Sequence, residues 1–347
     1  MEDVNVSPRI ALRGGAVTHI QTVRGSIPPE QLGVTQTHEH LWCNQALCRQ
    51  GDRWRAADPR SLMILDELEV AIEELGEVRA LGGGAIVEAT VGGWGRDVAK
   101  LRELSDATGL HIVACGGYYV EACHPTWARL LDIDALAEVL VREATEGADG
   151  TDIKIGILKS AISRPVIEGE EERCARAVAR AQLQTGLTIT THTSGNIRFE
   201  IEGGNIGMQH LDLFEAEGVD PSRVIVGHTD ENADVRFLEA LCRRGAYVQF
   251  DVIGKSHWML DETRAALAAR LVERGFGQQL LLGSDRARKT ELRKYGGSGY
   301  RHLLLSFVPM LRAAGLDEAA VRMLLVENPA RALQVRSPRG PASGTTN

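Results

Sequence analysis

The sequence carries no block of lysine or arginine and no basic stripe interleaved with aromatics. Its 39 basic residues are outnumbered by 47 acidic ones, for a net charge of −8. Nucleic acid is therefore a poor candidate for the main partner. No apolar run is long enough to span a bilayer, so no membrane partner is expected. The opening Met-Glu-Asp-Val-Asn-Val-Ser has neither a basic nor an apolar stretch of secretory type, and the expected location is cytoplasmic. Six cysteines (Cys43, Cys48, Cys115, Cys123, Cys174 and Cys242) are scattered without a Cys-x-x-Cys. A chain of 347 residues needs no covalent staples, so they are read as reduced thiols. Cys43 alone stands near a candidate site, where a packing role competes with sensitivity to oxidation. No Gly-x-Gly-x-x-Gly follows an early strand, which counts against a doubly wound nucleotide-binding sheet.

What is present is an alternation. Eight apolar, Val/Ile/Leu-rich runs fall at 32–37, 85–91, 111–119, 153–160, 187–191, 223–227, 246–252 and 279–284. Continuous apolar runs suit parallel strands covered on both faces. Between them, stretches at 66–81, 97–108, 134–146, 170–185, 211–217, 233–243 and 263–274 repeat apolar residues at spacings of three and four, as helices do. Gly109, Gly186, Gly218, Gly245 and Gly275 follow such stretches in the place of C-terminal caps. The pattern predicts an α/β fold, a (β/α)8 TIM barrel spanning 32–335. A leading segment, 1–31, would hold a small hairpin across the barrel bottom at 17–24 followed by Gly25. A helix or helix pair is expected at 317–334, and a disordered tail at 336–347.

Six residues with ligating chemistry stand at the ends of five of these strands: His38, His40, Lys159, His192, His228 and Asp285. In a barrel, strand ends gather on one rim, where catalytic groups sit. Alternate residues of a strand share a face, so His38 and His40 can point the same way. Taken singly, each has an ordinary explanation: a hydrogen-bonded histidine, a solvated lysine, a helix-capping aspartate. Taken together they form a binuclear metal site at the C-terminal end of the strands, and metal-assisted hydrolysis is the reaction class. Lys159 lies in the apolar Ile-Gly-Ile-Leu-Lys-Ser, which favours its neutral amine. That amine can add carbon dioxide and become a carbamate able to bridge two cations. Lys154 is the competing lysine, placed earlier in the strand.

The chain resembles the phosphotriesterase family of the amidohydrolase superfamily, and within it the phosphotriesterase homology and phosphotriesterase-related subgroup. The matching pieces are Thr-His-Glu-His-Leu at 37–41, Gly-Ile-Leu-Lys at 156–159, Thr-His-Thr at 191–193, Val-Gly-His-Thr-Asp at 226–230 and Gly-Ser-Asp at 283–285. The resemblance implies that His38, His40 and Asp285 hold the more buried of two divalent metal ions. His192 and His228 would hold the more exposed one. Carboxylated Lys159 and a hydroxide would bridge them. Zinc is the usual metal in this resemblance, with manganese, cobalt or iron as alternatives. Asp285 would be catalytic, taking the nucleophile's proton and passing it to the leaving group. A homodimer is also implied.

Substrate contacts are expected from the loops after the strands. The candidates are Trp94, Tyr119, His124, Lys255, His257, Trp258, Arg286, Arg288 and Lys289. Arg288, Lys255 and Tyr119 could together grip a phosphate or carboxylate, with Trp94 as a pocket wall. The competing reading is that the loop cations are solvated or paired with acids. Gly82-Gly83-Gly84 precedes a strand, so it is read as a tight turn rather than a phosphate cradle. The expected function is a lactonase or carboxylic ester hydrolase acting on a small-molecule, anionic substrate, a phosphorylated sugar lactone among them, with weak phosphotriesterase side activity. The alternatives are an amidohydrolase of a small N-acyl amide and a non-catalytic, metal-stabilised binding protein.

Overall fold

A computed structural model describes residues 18–48, 58–193 and 205–336. Eight parallel strands form the central sheet in sequential order: β1 (Val34–Glu39), β2 (Gly83–Glu88), β3 (His111–Gly117), β4 (Ile157–Ala161), β5 (Ile189–His192), β6 (Val224–Val226), β7 (Tyr247–Phe250) and β8 (Leu280–Leu282). β8 closes on β1: Thr37 Oγ1 donates to Leu282 O at 2.9 Å, and Asp285 N to His38 O at 3.0 Å. The fold is a (β/α)8 barrel, as the alternation predicts.

The helices between strands are α1 (Leu68–Ala80), α2 (Val98–Thr108), α3 (Ile133–Thr145), α4 (Gly169–Thr185), α5 (Ile206–Ala216), α6 (Val235–Arg243) and α7 (Asp261–Glu273). Their ends follow local chemistry. Asp97 caps α2 by accepting from Lys100 N at 3.0 Å, and Gly109 ends it at φ 73°. The same helix buries Val98, Leu101 and Leu104 toward the sheet. Each such leucine contributes about 1.5–3 kcal/mol of burial. Helical runs at 303–313 and 318–332 follow β8 among the described residues. The first has no counterpart in the sequence reading, because its apolar residues follow a loop rather than a strand. Helix α5 starts at Ile206, earlier than the periodicity placed it, because Asn205 caps it through Met208 N.

At the N-terminal end of the barrel, Ile20–Thr22 pairs antiparallel with Gly25–Ile27. Val23 N in the turn donates to Ile112 O at 2.9 Å, which pins this hairpin under β3. Of the tail expected at 336–347, Arg336 is ordered, its N donating to Gly186 O at 3.2 Å, and 337–347 lies outside the described residues. No helix among the described residues is long and apolar enough to cross a membrane.

The expectation of six reduced thiols is corrected. Cys48 and Cys123 form a disulfide with Cα atoms 4.2 Å apart. They stand 75 residues apart, and only the barrel brings the loops after β1 and β3 together. Cys43, Cys115, Cys174 and Cys242 are free and buried. Burial pushes the Cys43 thiol far up, with Glu88 adding to it, so this thiol is a packing group rather than a reactive one.

Candidate active site

The strand ends place all six expected ligands around one mouth. His38 Nε2 and His40 Nε2 face Asp285 Oδ1 at 3.5 and 3.2 Å. Lys159 Nζ lies 3.3 Å from His38 Nε2 and donates to Ala89 O at 3.1 Å. His228 Nε2 lies 2.7 Å from His192 Nδ1. Lys154 is not among the groups at this mouth; it precedes β4 in irregular chain.

Close approach of neighbouring strands explains two glycines next to ligands. A Cβ at Gly227 would stand 2.2 Å from Thr191 O, and one at Gly283 would stand 2.9 Å from His38 N and O. Glycine there lets β6 press on β5 and β8 on β1. The ligands that follow then turn sharply inward: His228 has φ 53° and Asp285 φ 48°. Among the described residues, only Asp149 is another non-glycine with positive φ. Such conformations cost roughly 1–3 kcal/mol each and gather at functional sites.

The far sides of the imidazoles are anchored. Asp251, at the end of β7, accepts from His38 Nδ1 at 2.7 Å through Oδ2. Through Oδ1 it accepts from His228 Nδ1 at 2.8 Å and from His228 N at 2.9 Å. His40 Nδ1 meets Thr90 Oγ1 at 2.7 Å. Each of these three rings therefore turns its Nε2 toward the mouth, the arrangement typical of metal-bound histidines. Asp251 and Thr90 are absent from the residues singled out in the sequence. Asp251 was visible in principle, since it also ends a strand run. Glu39 is a third case. Its carboxylate accepts from Ser284 N at 2.8 Å and Arg286 N at 3.0 Å, locking the turn that carries Asp285.

The electrostatics are those of a buried donor cluster. Burial, with Lys159 adding to it, lowers the pKa of His38. Burial alone is the main cause that brings His40 down to about 3. Burial opposes charge on His228 too, but Asp251 outweighs it and holds that imidazole up at about 9. Burial lowers the pKa of Lys159, which favours its neutral amine. For Asp285, burial favours the neutral acid, but Lys255 above all keeps the carboxyl well below its ordinary value. These residues fit divalent cations: imidazole nitrogens, a carboxylate and a neutral amine face one space, and a cation there would displace the second proton of His228. His38, His40 and Asp285 can each offer an atom within 4.8 Å of the others. His38, His228 and Asp251 meet the same distance test, but there the carboxylate binds the rings from behind.

The candidate substrate residues divide into two groups. Trp94 is buried and stacks on Tyr119, centroids 4.6 Å apart and planes 5° from parallel. It also meets the His40 ring in a T-shaped arrangement, centroids 4.5 Å apart. Tyr119 OH lies 3.4 Å from His192 Nε2. Lys255 Nζ donates to Asp285 Oδ2 at 2.6 Å and stands 3.7 Å from Glu291 Oε1. Arg288 donates through Nε to Ser61 O at 2.8 Å, and its side chain is 38% exposed. Trp94, Tyr119 and Lys255 thus touch the expected ligands, and Arg288 stands behind them, its Nη1 3.9 Å from Glu291 Oε1. The others are engaged elsewhere or point outward. His124 binds Tyr119 O, Lys289 pairs with Asp66 and Glu67, and Arg286 is buried on Ile253 O and Ser298 Oγ. His257 and Trp258 are exposed.

The chain is similar to known proteins over most of its length. A sequence model of the phosphotriesterase family matches residues 18–333. An N-acetyltaurine hydrolase from Xenopus tropicalis is 32% identical over 346 residues, covering 89% of this chain and 96% of its own. Among solved structures, the phosphotriesterase homology protein from Escherichia coli, complexed with phosphate in its active site, is 34% identical with a TM-score of 0.80. It covers 88% of this chain and 99% of its own. A lactonase from Listeria monocytogenes is 29% identical with a TM-score of 0.82, covering 92% of this chain and 100% of its own.

Proposed function

The chain belongs to the phosphotriesterase family of metal-dependent hydrolases, and from there we propose that it opens a lactone or related carboxylic ester in a small substrate bearing an anionic group. The observation that carries the reading is the placement of cationic and phenolic groups beside the ligand cluster. Lys255 Nζ is 2.6 Å from Asp285, and Tyr119 OH is 3.4 Å from His192. Arg288 is partly exposed nearby and offers a fork for a planar anion. The phosphate held in the active site of the Escherichia coli relative is consistent with this.

His38, His40 and Asp285 would hold one divalent cation, and His192 and His228 the other. Lys159, as a carbamate, would serve both. When bound, the cations supply Lewis-acid polarisation of the acyl oxygen and make water a nucleophile near neutral pH. Asp251 and Thr90 keep the imidazoles oriented. Buried, neutral Lys159 can form the N–C bond to carbon dioxide, losing one amine proton in doing so. Asp285 accepts the proton of the attacking water on its carboxylate and returns it to the leaving oxygen. Lys255 holds that carboxylate in place and keeps it ionised until the proton arrives. Trp94 and Tyr119 wall one side and limit water there.

A second reading, hydrolysis of a small anionic N-acyl amide, is favoured by the near full-length similarity to N-acetyltaurine hydrolase. The two differ in the leaving group, an alkoxide against an amine. The test is a side-by-side rate measurement on zinc-reconstituted protein supplied with bicarbonate. The substrates are a sugar γ-lactone with and without a terminal phosphate, and an N-acyl aminosulfonate. A large preference for the phosphorylated lactone supports the first reading, and turnover of the amide alone replaces it with the second. Asp285→Asn should nearly abolish turnover while the metals stay bound; unchanged turnover removes its assigned role.

A further inference from the structure

Arg264 on α7 has none of the roles above, yet its guanidinium is fully buried. Its Nε donates to Asp230 Oδ2 at 2.7 Å, and Nη1 donates to Asp261 Oδ1 at 2.9 Å and Met259 O at 2.5 Å. Nη2 donates to Lys255 O at 3.3 Å. Asp230 accepts in turn from Asp251 N at 3.0 Å and Val252 N at 3.3 Å. Asp251 is the carboxylate that orients both His38 and His228. One guanidinium thus reaches two parts of the site. Through Asp230 it fixes the end of β7, and through backbone carbonyls it fixes the loop that presents Lys255. Asp261 closes the same loop from its far end by accepting from Gly254 N at 2.9 Å.

We propose that Arg264 is a positioning residue that couples the loop presenting Lys255 to the carboxylate orienting His38 and His228. Geometry argues for this over plain stability. A buried ion pair adds little net stability, and an apolar residue of similar volume often serves as well. What a guanidinium offers is a rigid planar fork with donors in fixed directions, and here those donors end on two different functional segments. A lysine at this position has one point charge and cannot reach both. A displacement at either segment is transmitted to the other through this side chain.

The inference rests on His38 and His228 being cation ligands, and the experiment separates the two claims. Full-length wild type, Arg264→Lys, Asp230→Asn and the double variant are stripped of metal. Each is then titrated with zinc against a chromophoric chelator in bicarbonate buffer, with the melting midpoint recorded. Loss of an orienting partner bonded directly to a metal ligand typically weakens metal binding about 10–100-fold; Arg264 acts through Asp230 and Asp251, so Arg264→Lys is expected at the low end of that range, about tenfold. Asp230→Asn should weaken zinc in the same direction, and the double variant should lose no more than Arg264→Lys alone. A purely structural Arg264 lowers the midpoint but leaves zinc affinity within about twofold, or gives additive losses; either result overturns the proposal. If Arg264→Lys does not fold, Asp230→Asn decides by the same twofold criterion. A wild type that takes up no zinc overturns the reading of the site and this inference with it, a pattern distinct from a failure confined to the variants.

Discussion

Replacing Asp251 by Asn tests the site at the residue on which most of its order depends. The carboxylate is fully buried and serves three donors: His38 Nδ1, His228 Nδ1 and His228 N. Asparagine keeps the shape but has one accepting oxygen and one donating nitrogen. Turning its oxygen to His228 preserves two bonds and is the better choice. Its NH2 then faces His38 Nδ1, which must accept rather than donate. The His38 proton moves to Nε2, the atom facing Asp285 and Lys159, and that nitrogen no longer has an electron pair for a cation. Loss of one orienting contact costs about 10–100-fold in metal affinity, or about 1.4–2.7 kcal/mol. Asp251→Ala frees both rings, and the two losses together reach about 100–10,000-fold. Competition with a zinc chelator on each purified variant measures this directly. An Asn variant within about twofold of wild type, or an Ala variant no weaker than Asn, would refute the argument.

Three further outcomes are expected. Metal-stripped protein reconstituted without carbon dioxide should take up less zinc, and bicarbonate should restore it; Lys159→Met should show no such response. If wild type loads equally well in both buffers, Lys159 is not carboxylated. Reducing the Cys48–Cys123 bond, or replacing both residues by Ala, should lower unfolding free energy by about 2–4 kcal/mol, given the long loop it closes; an unchanged urea midpoint sinks that expectation. At Asp261, burial opposes the charge, but hydrogen bonds from His302 and Gly254 and the charge of Arg264 outweigh it and hold the carboxyl below its ordinary 3.8. A depressed folded value means its stabilisation is complete above 3.8 and fades as pH falls toward the folded value. Wild type should therefore lose stability over that acid range more steeply than Asp261→Asn, and parallel urea midpoints against pH would contradict this.

The unequal legibility of the site has a physical cause. His38, His40, Lys159, His192, His228 and Asp285 could be read from sequence because each ends an apolar run, and in a parallel barrel all such ends share one rim. Asp251 obeys the same rule, but one carboxylate beside so many candidate ligands carried no mark of its supporting role. Thr90 and Glu39 had no mark at all, since a threonine or glutamate near a strand end is common in any barrel. The loop cations looked alike in sequence. Their partners separated them: Arg286 is held by Ile253 O and Ser298 Oγ and Lys289 by Asp66 and Glu67, Lys255 is buried against Asp285 itself, and Arg288 alone is more than a third exposed.

The sequence by itself determined the eight-fold alternation, the helix caps and the ring of ligating residue types at the strand ends, because each depends on residues close together in the chain. Strand identity needs only a short apolar run, and a cap needs one side chain and the next turn. The tertiary structure alone decided what depends on distant segments meeting. It joined Cys48 to Cys123 against the expectation of free thiols. It set Asp251 behind two histidines, and it ran Arg264 from α7 to both Asp230, which holds the Asp251 backbone, and the Lys255 loop. Those contacts are fixed by how the closed barrel brings its loops and helices together, and no local pattern of residues encodes them.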